Sequence, residues 1–287
     1  MFDWLTDPFS VHFMQQALLG GLLAAVTTSL IGTWVVIRGM AFMGDALAHG
    51  VLPGIALAFV LGLDLTLGAI LGALVMVAGI AFVHRKARLR EDTGIGLLFV
   101  GMLALGVIIV SRLPSFTTSL TTFLFGDILG VRSSDLLIQA AAAALALAGI
   151  TLLYRPFLVL SFNEAKAQVL CLQPRLAHVA MLTLLTLAIV TSFRAVGTLL
   201  VFGLLIAPPA TAALLARSVP TMMLTAVGLG CASVVIGLLL SWHLGTAAGA
   251  TVAAVAVAVF FAVLFARDVA DRVFRSRRRT AVVDGGS

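Results

Sequence analysis

The sequence predicts an all-α fold: a polytopic transmembrane bundle of eight to nine helical spans, N-terminus outside and C-terminus in the cytoplasm. Three observations predict it. Hydrophobic residues make up 61% of the 287-residue chain and charged residues only 10%, where a soluble domain carries about 25% charged residues. Apolar runs of roughly 20 residues, enough to cross a bilayer as a helix, recur along the chain. No short segments alternate polar and apolar residues as membrane strands do, which argues against a barrel.

Residues 1–10 read as a short polar leader, with Pro8 ahead of the first run. Asp3 and Asp7 precede that run, but no Lys or Arg occurs before Arg38. A signal peptide needs a basic start, so none is expected and the first run is retained. The expected spans are 12–37, 42–63, 65–83, 93–112, 135–154, 177–193, 195–216, 220–241 and 246–266. Basic loops set their orientation. The run His84-Arg85-Lys86-Ala87-Arg88-Leu89-Arg90 belongs in the cytoplasm. So do Arg155, Lys166 and Arg175 in the 155–176 connection, Arg217, and the six arginines of 267–279. Nine spans satisfy every basic loop and leave only Arg194 outside; reading 177–216 as one broken element gives eight. Residues 1–266 then form one transmembrane domain, and 267–287 a basic, disordered cytoplasmic tail.

The net charge of +6 is accounted for by these loops, so nucleic acid is not an expected partner. Cys171 and Cys231 form no CxxC pair and read as small packing residues.

Two connections are more than loops. Residues 113–134 contain Pro114, a Ser/Thr-rich patch and Phe123-Leu124-Phe125-Gly126-Asp127-Ile128-Leu129-Gly130, which reads as an interfacial or external helix. In 155–176, the piece Ser161-Phe162-Asn163-Glu164-Ala165-Lys166-Ala167-Gln168-Val169-Leu170 is mildly amphipathic and reads as a cytoplasmic helix, either a docking surface or an ordinary loop helix. Small-residue pairs at Gly50/Gly54, Gly68/Gly72, Gly126/Gly130 and Gly245/Gly249 suit close helix packing. Pro208 and Pro209 interrupt a span and are candidate path-lining residues, because freed carbonyls are tolerated where neighbours or a cavity satisfy them.

The chemistry concentrates in Gly44-Asp45-Ala46-Leu47-Ala48-His49-Gly50-Val51-Leu52-Pro53-Gly54. Asp45 and His49 lie within an apolar span. An ionisable group there costs about 2.5–3.5 kcal/mol on insertion scales and marks an ion or substrate path. Their i, i+4 spacing puts both on one helix face, where they can share one metal ion or form an ion pair with each other. Counted from Arg38 at 1.5 Å per residue, they sit about 10 and 16 Å into the bilayer. Carboxylate plus imidazole suits zinc, manganese or ferrous iron. One copy supplies two ligands; two copies across a two-fold axis supply four, enough for tetrahedral zinc. His12, His84, His178 and His243 carry less weight, as do Met40 and Met43. There is no GxxxxGK[ST] phosphate loop, no HExxH and no nucleophile elbow, so an enzyme is not expected.

These residues resemble the permease subunits of bacterial zinc/manganese/iron-uptake ABC transporters. The likeness runs from Arg38 through Met43–Gly54, then Asp92-Thr93-Gly94-Ile95-Gly96, Leu124-Phe125-Gly126-Asp127-Ile128-Leu129 and Val196–Pro208. It implies a homodimer in the bacterial inner membrane, two cytoplasmic ATP-binding subunits and an extracytoplasmic metal-binding protein. It also implies that Asp45 and His49 form a transient metal site, with no permanently bound cofactor. A coupling helix at about 157–172 would seat Phe162, Asn163, Glu164 and Ala167 on the ATPase. Two departures stand out. Phe162-Asn163-Glu164-Ala165 replaces the family's usual Phe-Asp-Pro-Glu, with Cys171 where a Gly is usual. Ala247-Ala248 precede Gly249 where a Pro is usual. The expected function is ATP-driven divalent-metal import by alternating access. The alternatives are an ABC permease for a siderophore, haem or cobalamin, and a proton-coupled secondary transporter.

Overall fold

A helix that is apolar on every side must be buried in protein or in lipid, and the described residues are built from such helices. The computed structural model describes residues 7–86, 91–111, 133–162 and 174–284, all of whose elements are helical. After a short 3₁₀ turn (Asp7–Ser10) come α1 (His12–Ile37), α2 (Ala41–Gly50), α3 (Leu52–Val60), α4 (Leu65–Lys86) and α5 (Glu91–Val110). Then follow α6 (Ser133–Leu152), α7 (Tyr154–Phe162), α8 (Pro174–Val196), α9 (Thr198–Leu215), α10 (Val219–Leu244) and α11 (Ala248–Asp284). Among the described residues six helical segments are long and apolar enough to cross a bilayer, α2 and α3 together making one of them. Three shorter apolar stretches, Leu67–Val83, Thr93–Ile109 and Leu199–Leu215, correspond to the other expected runs. The expected interfacial or external helix in 113–134 lies, up to residue 132, outside the described residues.

Helix α1 is the central post, packed against α6, α8, α9 and α10. Its buried threonines are satisfied within the helix: Thr27, Thr28 and Thr33 donate to the carbonyls of Leu23, Ala24 and Ser29 at 2.7, 2.6 and 2.9 Å. Contacts fix the directions of its neighbours. Gln16 meets Ser133 at one end of α1, and Trp34 meets Tyr154 near the other, so α6 runs parallel to it. Phe13 stacks on Trp242, and Arg38 reaches His178, so α10 and α8 run antiparallel. Arg38, Arg155, Arg217 and Arg267 therefore close on one end of the bundle.

Without a hydrophobic drive between helices in lipid, close approach depends on small residues. Gly54 lies against Gly68 and Gly72 on the α3–α4 hairpin, and Gly237 lies against Val252 between α10 and α11. The hairpin turn itself uses Gly62 at φ +66°. Helix α10 starts at Ser218, whose N–H donates to Thr221 Oγ1 at 3.2 Å and whose hydroxyl lies 2.9 Å from that atom. Ser218→Ala is expected to cost about 1 kcal/mol, seen as a lower midpoint in thermal unfolding of the purified chain in detergent.

Two elements differ from the sequence reading. The second span is not one helix: it breaks at Val51 into α2 and α3, because Pro53 has no N–H to continue the ladder. The basic tail, expected to be disordered from residue 267, continues α11 as helix to Asp284.

Candidate functional site

Helix α2 has two faces. Met43, Leu47 and Gly50 are buried, with Gly44 so close to Leu205 of α9 that a side chain there would collide with it. Phe42, Asp45 and His49 lie along the opposite, more open face. His49 Nε2 is 3.3 Å from Asp45 Oδ1, and each side chain is about a quarter exposed. This is the i, i+4 juxtaposition the spacing predicts.

One aromatic ring packs against the imidazole. Phe99 of α5 meets the His49 ring edge-on, centroids 5.8 Å apart, and meets Phe42 in the same way at 5.4 Å. Phe99 has no signal in the local sequence around Asp45, since it is fifty residues away. The break at Val51 comes two residues after His49, so the pair lies within the last two turns of a short helix. Helix α2 is held at its start by a complete Schellman turn: Met40 N–H donates to Val35 O and Gly39 N–H to Val36 O, both at 3.0 Å, with Gly39 at φ +68°.

Chemically, the pair presents one carboxylate and one imidazole to a common point, a donor set for a borderline-to-hard divalent ion. Among the described residues no group of three or more His, Cys, Asp or Glu side chains comes together.

The other sequence-predicted residues lie elsewhere. Pro208 and Pro209 are buried in the core, Pro208 near Gly230 of α10 and Pro209 near Gly32 of α1. Phe162 ends α7, while Asn163, Glu164 and Ala167 lie outside the described residues, as does Cys171. His12 and His243 are exposed at the end marked by the Phe13–Trp242 stack; His243 Nδ1–H donates to Leu239 O at 2.8 Å. His178 accepts from the Arg38 guanidinium through Nδ1 at 3.0 Å, a pairing that its position in the sequence did not suggest. Met40 and Met43 are buried packing residues. Cys231 is a free thiol within α10.

The comparisons with known proteins agree with one another. The sequence pattern described as "ABC 3 transport family" matches residues 10–267. The manganese transport system membrane protein MntC of Listeria innocua is 38% identical over 255 residues, covering 88% of this chain and 91% of its own. A Haemophilus influenzae protein named "Probable iron transport system membrane protein" is 36% identical over 260 residues, 91% of this chain and 96% of its own. Among solved structures, PsaBC from Streptococcus pneumoniae in complex with Fab superposes with a TM-score of 0.81 at 34% identity. That match covers 92% of this chain and 95% of the other.

Proposed function

The chain belongs to the ABC 3 transport family, and from that premise we propose that it is the permease subunit of an ATP-driven importer of divalent metal ions. The observation that carries the reading is the Asp45–His49 pair, 3.3 Å apart on the open face of a broken apolar helix. Ionisable groups inside a membrane span face a cavity, a path or a partner rather than lipid. Relatives named for manganese and iron transport support the class of cargo, and zinc suits the same donors.

Two copies face each other across a two-fold axis, so that two carboxylates and two imidazoles surround the ion. Two cytoplasmic ATP-binding subunits bind and hydrolyse ATP, and seat on the segment that includes Phe162, Asn163, Glu164 and Ala167. An extracytoplasmic metal-binding protein delivers the ion. Conduction needs a site strong enough to fill and weak enough to empty, and two ligands from each copy meet that need. Phe99, itself packed on Phe42, lies edge-on against the imidazole and helps to hold it in position without an ion.

The test is elemental analysis of cells lacking this chain, starved in turn of manganese, iron and zinc. At least one of the three is expected to fall relative to the parent strain and to recover when the chain is restored. Normal content of all three would overturn the proposal.

A further inference from the structure

Resting on that reading, we propose that Arg38 and Trp34 are positioning residues that relay movement of α7 and α8, the helices flanking the segment 163–173 in sequence, to the Asp45–His49 pair. The observation is a double grip on the last turn of α1. On the side where the chain enters the segment, Trp34, 1% exposed, meets Tyr154 and Phe157 of α7 edge-on, with centroids 5.7 and 5.6 Å apart. On the side where the chain leaves it, Arg38 Nη1 donates to His178 Nδ1 at 3.0 Å and lies 3.9 Å from Met181 Sδ, both on α8. Each pair of partners is spaced i, i+3, so each grip holds one face of its helix. Trp34 and Arg38 are themselves i, i+4 and share the final turn of α1.

Both flanks of the segment therefore bear on one short stretch of backbone. That stretch passes at once into α2 through the Schellman turn at Gly39, whose two hydrogen bonds leave little freedom between Arg38 and Met40. Seven residues beyond Arg38 is Asp45. A displacement of α7 and α8 that turned the end of α1 would turn α2 with it, and hence the face that carries Asp45, His49 and Phe42. The two grips differ in kind. The aromatic one resists separation by packing. The Arg38–His178 bond is directional, because a guanidinium only donates and Nδ1 must accept. The directional member sets the register of α2 against α8, and its loss should uncouple the two ends rather than unfold the bundle.

The experiment uses this chain assembled with its ATP-binding subunits in proteoliposomes, carrying Arg38→Ala or Arg38→Lys. Metal uptake and ATP hydrolysis are measured separately. Arg38→Ala is expected to lower uptake at least about fivefold, the smaller end of ordinary coupling between sites, while hydrolysis and co-purification of the subunits persist. Arg38→Lys, which keeps a donor for Nδ1, is expected to restore part of the uptake. A parallel fall in uptake and hydrolysis, or no fall in uptake, would overturn the relay.

A second measurement separates this proposal from the functional one. In a chain with Cys171→Ser, Cys231→Ser and Asp45→Cys, the new thiol is labelled with a water-soluble reagent, with and without ATP and vanadate. Nucleotide is expected to change the labelling rate when Arg38 is present and not in Arg38→Ala. If the unaltered assembly carries no metal yet labelling still follows nucleotide through Arg38, the metal-import reading fails and the relay stands. A response equal in both backgrounds, or absent from both, overturns the relay.

Discussion

His49→Ala is expected to bring metal uptake down to the level of cells lacking the chain, and Asp45→Ala to do the same. Each removes one of the two donors that one copy presents at this point among the described residues, and a two-fold assembly would lose two of its four. Neither change should cost much of the bundle. Both side chains lie on the open face of α2, and beyond each other the ring contact that holds them is His49 with Phe99. The buried face, with Met43 and Leu47, is left intact. Uptake of radioactive manganese or iron, read beside the amount of chain in the membrane fraction, separates the two effects. Wild-type uptake in both variants would remove the pair from the path. Asp45→Asn is informative because it keeps the shape and the oxygen but removes the charge; uptake is expected to fall with it as well.

The second large effect concerns packing. Pro209 has no N–H, so the carbonyl of Leu205 one turn earlier loses its helical donor. Helix α1 meets α9 at that carbonyl through Gly32, and a Cβ on Gly32 would drive into the Leu205 oxygen and lie 3.0 Å from the Pro209 ring. The clash is with backbone, which cannot rotate away. Gly32→Ala is expected to destabilise the chain by about 1–3 kcal/mol, as overpacked cores do, and Gly32→Val by more. Gly228 is the control: it is also helical, but a Cβ there meets nothing within 4 Å. Gly228→Ala is expected to be neutral or stabilising by about 0.5–1 kcal/mol. Thermal unfolding in detergent distinguishes the two glycines. Equal midpoints for Gly32→Ala and Gly228→Ala would show that α1 and α9 are less tightly joined than described.

Much of the architecture was legible because length and apolarity alone specify a membrane helix. The nine expected runs reappear as helical stretches within a few residues of their expected limits. Pro53 carried the signal for the break at Val51, but a twenty-residue apolar run hides a single missing hydrogen bond. The helix of the tail was hidden for the opposite reason. Dense arginines argue for a solvated segment, yet they are good helix formers, and 267–284 extends a helix already nucleated within α11. The approach of Asp45 to His49 was legible because one helical turn joins them. Phe99 and His178 were not placed, because their partners lie 50 and 140 positions away and helices apolar on all sides give no period from which to read a neighbour.

The 3.3 Å approach of Asp45 to His49 has a consequence for the half of the cycle in which nothing is carried. A carrier must return empty, and a carboxylate left alone in a low-dielectric interior would resist that return as strongly as its cargo resists entering it. On the proposed reading, the carboxylate keeps the imidazole nitrogen 3.3 Å away once the ion has gone. On that reading the unloaded carboxylate has a polar ring beside it, and resetting the carrier does not leave it against apolar side chains alone.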